Sequence, residues 1–269
     1  MSDCPEVTLD LPYYQVDAFA GRLFTGNPAG VCLLEAWLPD ETMQAIAAEN
    51  NQAETAFVVS AGEAGFNLRW FTPTVEIDLC GHATLAAAHV LFTHRDLAGD
   101  KVRFQTRSGE LGVSRTGGLL ALDFPSVPGI ACEPPPDLLK ALGKVPVFTS
   151  KSRDYLAVFD SEEEVRSLRP DFTIMKRLDA LGVIATAPGE DCDFVSRFFA
   201  PGAGVDEDPV TGSAHCTLIP YWADRLGRPE LEARQISARG GELSCIHRGD
   251  RVTIAGRAVT YSSGVIHLP

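Results

Sequence analysis

With 269 residues, 45% of them hydrophobic, and a mean hydropathy of +0.02, the chain can bury two ordinary cores as a soluble globular protein. A formal net charge of −13 and a pI near 4.9 repel phosphate backbones and anionic lipid, which argues against nucleic-acid and membrane-surface partners. No apolar run reaches membrane-span length and the start, MSDCPEVTLD, lacks the basic and apolar regions of a signal peptide. The seven cysteines (Cys4, Cys32, Cys80, Cys132, Cys192, Cys216, Cys245) contain no CxxC pair, so the expectation is a cytoplasmic protein with neither a disulfide framework nor a zinc site.

In chain order, Tyr13 to Phe19 reads as a strand, and Thr25-Gly26-Asn27-Pro28-Ala29-Gly30 as the turn of a hairpin into Val31 to Leu34. Pro39-Asp40 opens a helix, with Asp40 as its expected N-cap, Met43, Ile46 and Ala47 as its apolar stripe, and an end near Asn50-Asn51. Gln52-Ala53-Glu54-Thr55 then leads into a strand, Ala56 to Ser60. This puts Glu54 at a helix-to-strand junction, where a carboxylate either faces solvent or points into a cleft.

The stretch from Arg69 to Phe92 is an apolar strand, a proline stop at Pro73, an acidic loop, and a helix opened by Gly81-His82. From Ala83 to about Phe92 that helix is apolar almost all round, the pattern of a helix buried on every side, so strands must surround it. A strand from Lys101 to Thr106 and a hairpin of Leu111-Val113 with Leu119-Leu122 follow. The prolines from Pro125 through Pro128 to Pro134-Pro135-Pro136 predict a linker. Further strands are expected near Val145 to Phe148, Leu156 to Phe159, Val183 to Ala187 and Phe194 to Phe199, and Arg248-Gly249-Asp250 reads as a hairpin tip.

The second half echoes the first. Arg197-Phe198-Phe199-Ala200-Pro201 repeats Arg69-Trp70-Phe71-Thr72-Pro73 at an offset of 128, and Gly212-Ser213-Ala214 repeats Gly81-His82-Ala83 at 131. Pro170-Asp171-x-Thr173 and Gly241-Glu242-Leu243 repeat Pro39-Asp40-x-Thr42 and Gly109-Glu110-Leu111 at 131 and 132. Four anchors in the same order predict an internal duplication, with domains at 1–127 and 128–269 and a last strand free to return to the first. The junction matching Glu54, Ala180 to Gly189, contains no carboxylate, so Glu54 departs from the shared plan.

Helices opening at Gly81 and Gly212 present unpaired N–H groups and a positive dipole end, a receptor for a substrate carboxylate. For either glycine alone a tight turn is an equal reading; together they are read as one active site. His82 can bond substrate or move a proton. Asp208 is either a site group or part of a solvated loop, and Ser213 either a site group or a helix cap. Cys80-x-His82 has no further ligands at metal spacing, and neither have His89 and His94, so no metal is expected.

These residues resemble the PhzF-like phenazine-biosynthesis family. The matching motifs are Asp17-x-Phe19 with Thr25-Gly26-Asn27-Pro28, Ala53-Glu54-Thr55-Ala56-Phe57, Leu68-Arg69-Trp70-Phe71-Thr72-Pro73, Asp78-Leu79-Cys80-Gly81-His82-Ala83-Thr84, and Glu207-Asp208-Pro209-Val210-Thr211-Gly212-Ser213-Ala214-His215. The resemblance implies the α+β, diaminopimelate-epimerase-like fold: two similar domains, each a β-barrel-like sheet wrapped around a central apolar helix, with the active site between them. It further implies a cofactor-independent isomerase like the one acting on trans-2,3-dihydro-3-hydroxyanthranilate, acting here on a small carboxylate-bearing substrate as a homodimer. Glu54 corresponds to the acid/base, His82, Asp208 and Ser213 to the other catalytic side chains, and Asn27, Cys80, Gly81 and Gly212 to substrate-binding positions. The chain departs at Gln235-Ile236-Ser237, where a glycine is expected after the glutamine.

Three other readings compete. A racemase or epimerase of the same superfold uses two thiols, yet Cys80 before Gly81 is answered by Thr211 before Gly212. A protein that only binds small acids, or only docks a partner, has no need of Glu54.

Overall fold

The computed structural model describes residues 9–268; Cys4 and the rest of the amino-terminal stretch lie outside the described residues. The chain forms two compact units: one runs up to Ala18, then Pro28–Leu120 and from Ala258 onward, the other is Phe19–Asn27 with Ala121–Arg257. The boundary falls at Leu120/Ala121 and not at 127/128, and the segment between the first two strands joins the second unit, while the last strand returns to the first as the sequence reading allows.

The first unit is built from β1 (Leu9–Ala18), β2 (Asn27–Leu34), α1 (Asp40–Asn50), β3 (Glu54–Ser60), β4 (Phe66–Phe71), β5 (Glu76–Ile77), α2 (Gly81–His94), β6 (Lys101–Thr106) and β7 (Gly109–Thr116). β2 and β3 are parallel, β3 and β4 antiparallel, β4 pairs antiparallel with β5 and parallel with β6, and β6 runs antiparallel to β7. Alternate residues of the strands, Cys32 and Leu34, Phe57 and Val59, pack with Met43, Ile46 and Ala47 of α1 in one buried cluster. The residues between them, Val31, Leu33, Ala56 and Val58, are buried as well, as in a sheet covered on both faces. α2 is buried from His82 to Phe92 except at His89, and it packs against β1, β3, β7 and one further strand described below.

Two expectations for α1 resolve differently. It ends at Asn50 with Asn51 in the left-handed region (φ 48°), a conformation asparagine tolerates. Asp40, however, is the first helical residue and not the cap; its carboxylate lies 2.8 Å from Arg69, because Pro39 holds the N-cap position.

β8 (Leu119–Pro125) leads into the second unit: β9 (Ile130–Ala131), α3 (Pro136–Leu142), β10 (Phe148–Lys151), β11 (Tyr155–Val158), α4 (Glu162–Arg166), α5 (Phe172–Met175), β12 (Val183–Pro188), β13 (Phe194–Ala200), β14 (Val205–Asp208), α6 (Gly212–Leu226), β15 (Glu230–Gln235), β16 (Gly241–Arg248) and β17 (Arg251–Gly256). The pairing order of the first unit recurs. β11 and β12 are parallel, β12 and β13 antiparallel, β13 pairs antiparallel with β14 and parallel with β15, and β15 runs antiparallel to β16. β18 (Ala258–Leu268) pairs antiparallel with β1, from Leu9↔Leu268 to Ala18↔Ala258, and also lies against α2 in the first unit.

The proline-rich segment is built into the second unit and is not a loose linker. β9 pairs with β10, Pro135 and Pro136 start α3, and the Val127 N–H donates to Cys216 O at 2.9 Å. That last bond answers a defect: Pro220 inside α6 has no N–H for the carbonyl four residues back, which is Cys216 O. The Arg248-Gly249-Asp250 tip is the expected tight turn, with Arg248 and Arg251 paired and Gly249 at φ 77°. The six described cysteines are thiols, Cys132 exposed and Cys32, Cys80, Cys216 and Cys245 buried. No helix among the described residues is long and apolar enough to cross a membrane.

Candidate active site

The loop before each buried helix is fixed by an arginine. In the first unit Arg69 of β4 binds both carboxylate oxygens of Glu76, each at 2.7 Å, and lies over the Phe71 ring at 5.1 Å. In the second, Arg197 of β13 binds Glu207 at 2.7 and 2.8 Å, lies over Phe199 at 4.8 Å, and donates to the carbonyls of Val165 and Leu168. Fork-to-fork pairs of this kind fix geometry as well as charge. The arginines were legible only as parts of a repeated motif; their clamping role lies in contacts that local spacing does not show.

In the first unit the clamp leads to Cys80, the N-cap of α2, with extended dihedrals (φ −142°, ψ 111°) and no side-chain cap bond. Neither Gly81 nor the rest of the first turn is acidic, so the helix start keeps its positive character. His82, buried in that turn, meets Glu54 at the first position of β3, with Nε2 3.0 Å from Glu54 Oε2. Its other nitrogen, Nδ1, lies 3.5 Å from Cys80 Sγ. Burial opposes charge on this ring, while Cys80 and Glu54 favour it; the net holds His82 well above its ordinary pKa. Burial, followed by the Glu54 charge, pushes the Cys80 thiol up. Read along the sequence, Cys80-x-His82 lacks further metal-type ligands; in space Glu54 joins it, one ligand-type atom of each residue lying within 4.8 Å of the others.

In the second unit α6 also starts without a side-chain cap, behind Thr211. Ser213 therefore does not cap its helix; its Oγ accepts from Arg153 at 3.0 Å. Arg153 is in turn held by two bonds to Oδ2 of the buried Asp154. Sequence spacing had not marked this pair, since Arg153 lies 60 residues from Ser213. Asp208 holds its own loop: Oδ1 accepts from Asn27 Nδ2 at 2.8 Å and Oδ2 from the Thr211 hydroxyl. Asn27, expected at a substrate-binding position, is fully buried and also donates to Val210 O, so it braces the Asp208–Thr211 turn.

The departure after Gln235 has a physical reading. Gln235 is buried, accepting from the Thr211 N–H at 2.8 Å and donating to Asp208 O at 2.7 Å. Ile236 is not in the left-handed region and packs into the core of the unit, so a glycine is not demanded there. Ser237 completes the brace by donating to Pro209 O.

The matching position for Glu54 can be counted from the clamps. Phe57 is the register partner of Arg69 and Ala185 that of Arg197; three residues earlier stand Glu54 and Gly182. A Cβ on Gly182 would lie 2.5 Å from the Phe198 ring and 2.8 Å from Phe199 O, so the second unit has no room for any side chain there.

Comparison with known proteins gives the family and the fold. The family described as phenazine biosynthesis-like protein (PhzC-PhzF) matches residues 16–264. Two uncharacterized isomerases of Pseudomonas aeruginosa are 57% and 54% identical, each match covering 97% of this chain and 100% of the relative. The mouse phenazine biosynthesis-like domain-containing protein 2 is 42% identical over 96% of this chain and 99% of its own. Among solved structures, a PhzF-family protein from Enterococcus faecalis superposes with a TM-score of 0.94 at 47% identity, covering 97% of this chain and 100% of that one. A hydroxyproline epimerase from Agrobacterium vitis, at 12% identity and a TM-score of 0.62 over 96% and 93% of the two chains, shares the fold alone.

Proposed function

The chain belongs to the phenazine biosynthesis-like family, and we propose that it is an isomerase that moves a proton between carbons of a small carboxylate-bearing substrate, with Glu54 as the acid/base group. The observation that carries this reading is the 3.0 Å contact of Glu54 with a buried His82. The charge on His82, 3.0 Å from one carboxylate oxygen, holds Glu54 in place and leaves the other oxygen to take a proton from one carbon and return it to another on the same face. Proton count and charge are unchanged by the cycle, so the step needs no oxidant or co-reactant. The recurrent pairing order and repeated clamps support reading the fold as an internal duplication, each copy a sheet curled about its buried helix. For Ser213 we propose a role in holding substrate, with Arg153 supplying positive charge beside its hydroxyl, and for Asp208, whose two oxygens accept from Asn27 and Thr211, the role of fixing the turn that precedes α6.

The two-thiol racemase reading loses support. The position answering Cys80 is Thr211, whose hydroxyl is spent on Asp208, and the next thiol, Cys216, is turned to Gly212 O with its pKa pushed up to about 12 by burial.

The test starts from a panel of small unsaturated and ring-bearing carboxylic acids, screened by thermal shift and then incubated in deuterated water under NMR. The expected result is migration or exchange of one carbon-bound hydrogen, abolished by Glu54→Gln with ligand binding nearly intact. Activity surviving in Glu54→Gln but lost in Cys80→Ala would replace this reading with thiol-based epimerisation.

A further inference from the structure

The acid/base reading uses Glu54 and His82 and leaves the Cys80 thiol beside them without a task. Thiol, imidazole and carboxylate are the three side-chain ligands of zinc, and here one atom of each falls within 4.8 Å of the other two. An ion with Zn–S of about 2.3 Å and Zn–N of about 2.0 Å in tetrahedral arrangement sets its sulfur and nitrogen roughly 3.5 Å apart. Cys80 Sγ and His82 Nδ1 already stand at 3.5 Å. Closing the third corner asks the Glu54 carboxylate to move by on the order of 1 Å from the far side of the ring, which breaks its contact with His82 Nε2.

We propose that Glu54, Cys80 and His82 form a site for a thiophilic divalent cation, Zn²⁺ or its analogues, whose occupancy withdraws Glu54 from acid/base work. The inhibitory half of this statement rests on the function proposed above; the binding half does not. The start of α2 directs its positive end at this corner, so a cation is held only because two anionic ligands converge on it. A hard ion such as Mg²⁺ prefers an all-oxygen, octahedral shell that this corner does not offer.

The experiment is a Co²⁺ titration of the full chain under reducing conditions, followed by absorption spectroscopy. One equivalent is expected to produce a sulfur-to-cobalt charge-transfer band with the visible bands of a tetrahedral ion, bleached by Zn²⁺ and untouched by Mg²⁺. Cys80→Ser should remove the charge-transfer band, and Glu54→Gln should weaken Co²⁺ binding by roughly tenfold or more. Cys132→Ser, which alters an exposed thiol, should change neither. Absence of the band at excess Co²⁺, a band that survives Cys80→Ser, or an unchanged affinity in Glu54→Gln would each overturn the proposal. If Cys80→Ser melts early, the affinity of the folded Glu54→Gln variant decides. Since the spectrum needs no turnover, failure of the isomerase reading and failure of the metal site are separately visible.

Discussion

The starts of α2 and α6 are built on the same local plan and carry different chemistry. Each follows an arginine–glutamate clamp, each opens with glycine and without a side-chain cap, and each helix is largely buried up to its exposed last turn. At α2 the residue after glycine is a buried histidine facing Glu54; at α6 it is Ser213, half-buried beside Arg153, and the place answering Glu54 is a glycine with no space for a side chain. Their histidines separate as well. His82 is held above its ordinary pKa, whereas burial pushes His215 down to about 4, leaving a neutral ring whose Nδ1–H donates to Thr211 O. The recurring arrangement thus supplies two similar anchors, and the proposed base stands where only the first unit leaves room for a side chain.

The largest expected effect breaks the comparison at its functional end. Glu54→Gln should lower turnover by about 10²- to 10⁴-fold, with Cys80→Ala mild beside it, as measured by initial rates on a substrate found in the NMR screen. A flat response to Glu54→Gln would remove the asymmetry that the proposed function relies on.

Next in size is acid sensitivity. An unfolded chain protonates His215 below about pH 6.5, while the folded one resists until about 4. The unfolded state then binds more protons, so stability falls as pH drops through that window, by about 3 kcal/mol for His215 alone. His89, also pushed to about 4 by burial, adds to the loss. His82 acts with the opposite sign: its contribution is present at low pH and fades as pH rises through its raised folded value. Histidine NMR titration should show His82 charged at neutral pH and His215 neutral.

Gly182→Ala should cost about 1–3 kcal/mol in urea unfolding through overpacking against Phe198 and Phe199 O. A neutral result would mean that the second unit could have carried a carboxylate after all. The smallest test concerns two aspartates that look alike in sequence. Asp171 caps α5, accepting from the N–H groups of Thr173 and Ile174, and Asp171→Ala should cost about 1 kcal/mol. The exposed Asp40 caps nothing and meets Arg69, so Asp40→Ala should cost less and its effect should shrink with salt.

Hydrophobic runs and breakers located most of the strands and the first buried helix, because burial on both faces writes an unbroken apolar stretch; the second helix was placed by the repeat at Gly212-Ser213-Ala214. The strand Lys101 to Thr106 and the close of α1 at Asn50-Asn51 fell where the pattern put them. The meeting of Glu54 with His82, 28 residues apart, came from motif resemblance and not from periodicity. Other features were closed to a linear reading because their partners are distant and often backbone. Pro125 to Pro136 looks like a linker until Val127 is seen to satisfy the carbonyl that Pro220 strands. Gln235 looks like the end of a strand until its amide is found holding both Asp208 and Thr211.

The pairing of β1 with β18 bears on how the protein is made. A ribosome releases the chain from its amino-terminal end, so Glu54, Cys80 and His82 all emerge long before residues 258–268. α2 packs against that final strand as well as against β1. Until residues 258–268 have been made, the helix bearing His82 lacks one of its walls and β1 lacks the partner that runs its full length, while every residue of the second unit has already been synthesised. Long-range closure of this kind is slow and leaves apolar surface open in the interim. Of the two units, the one that holds the proposed base is begun before the other and completed after it.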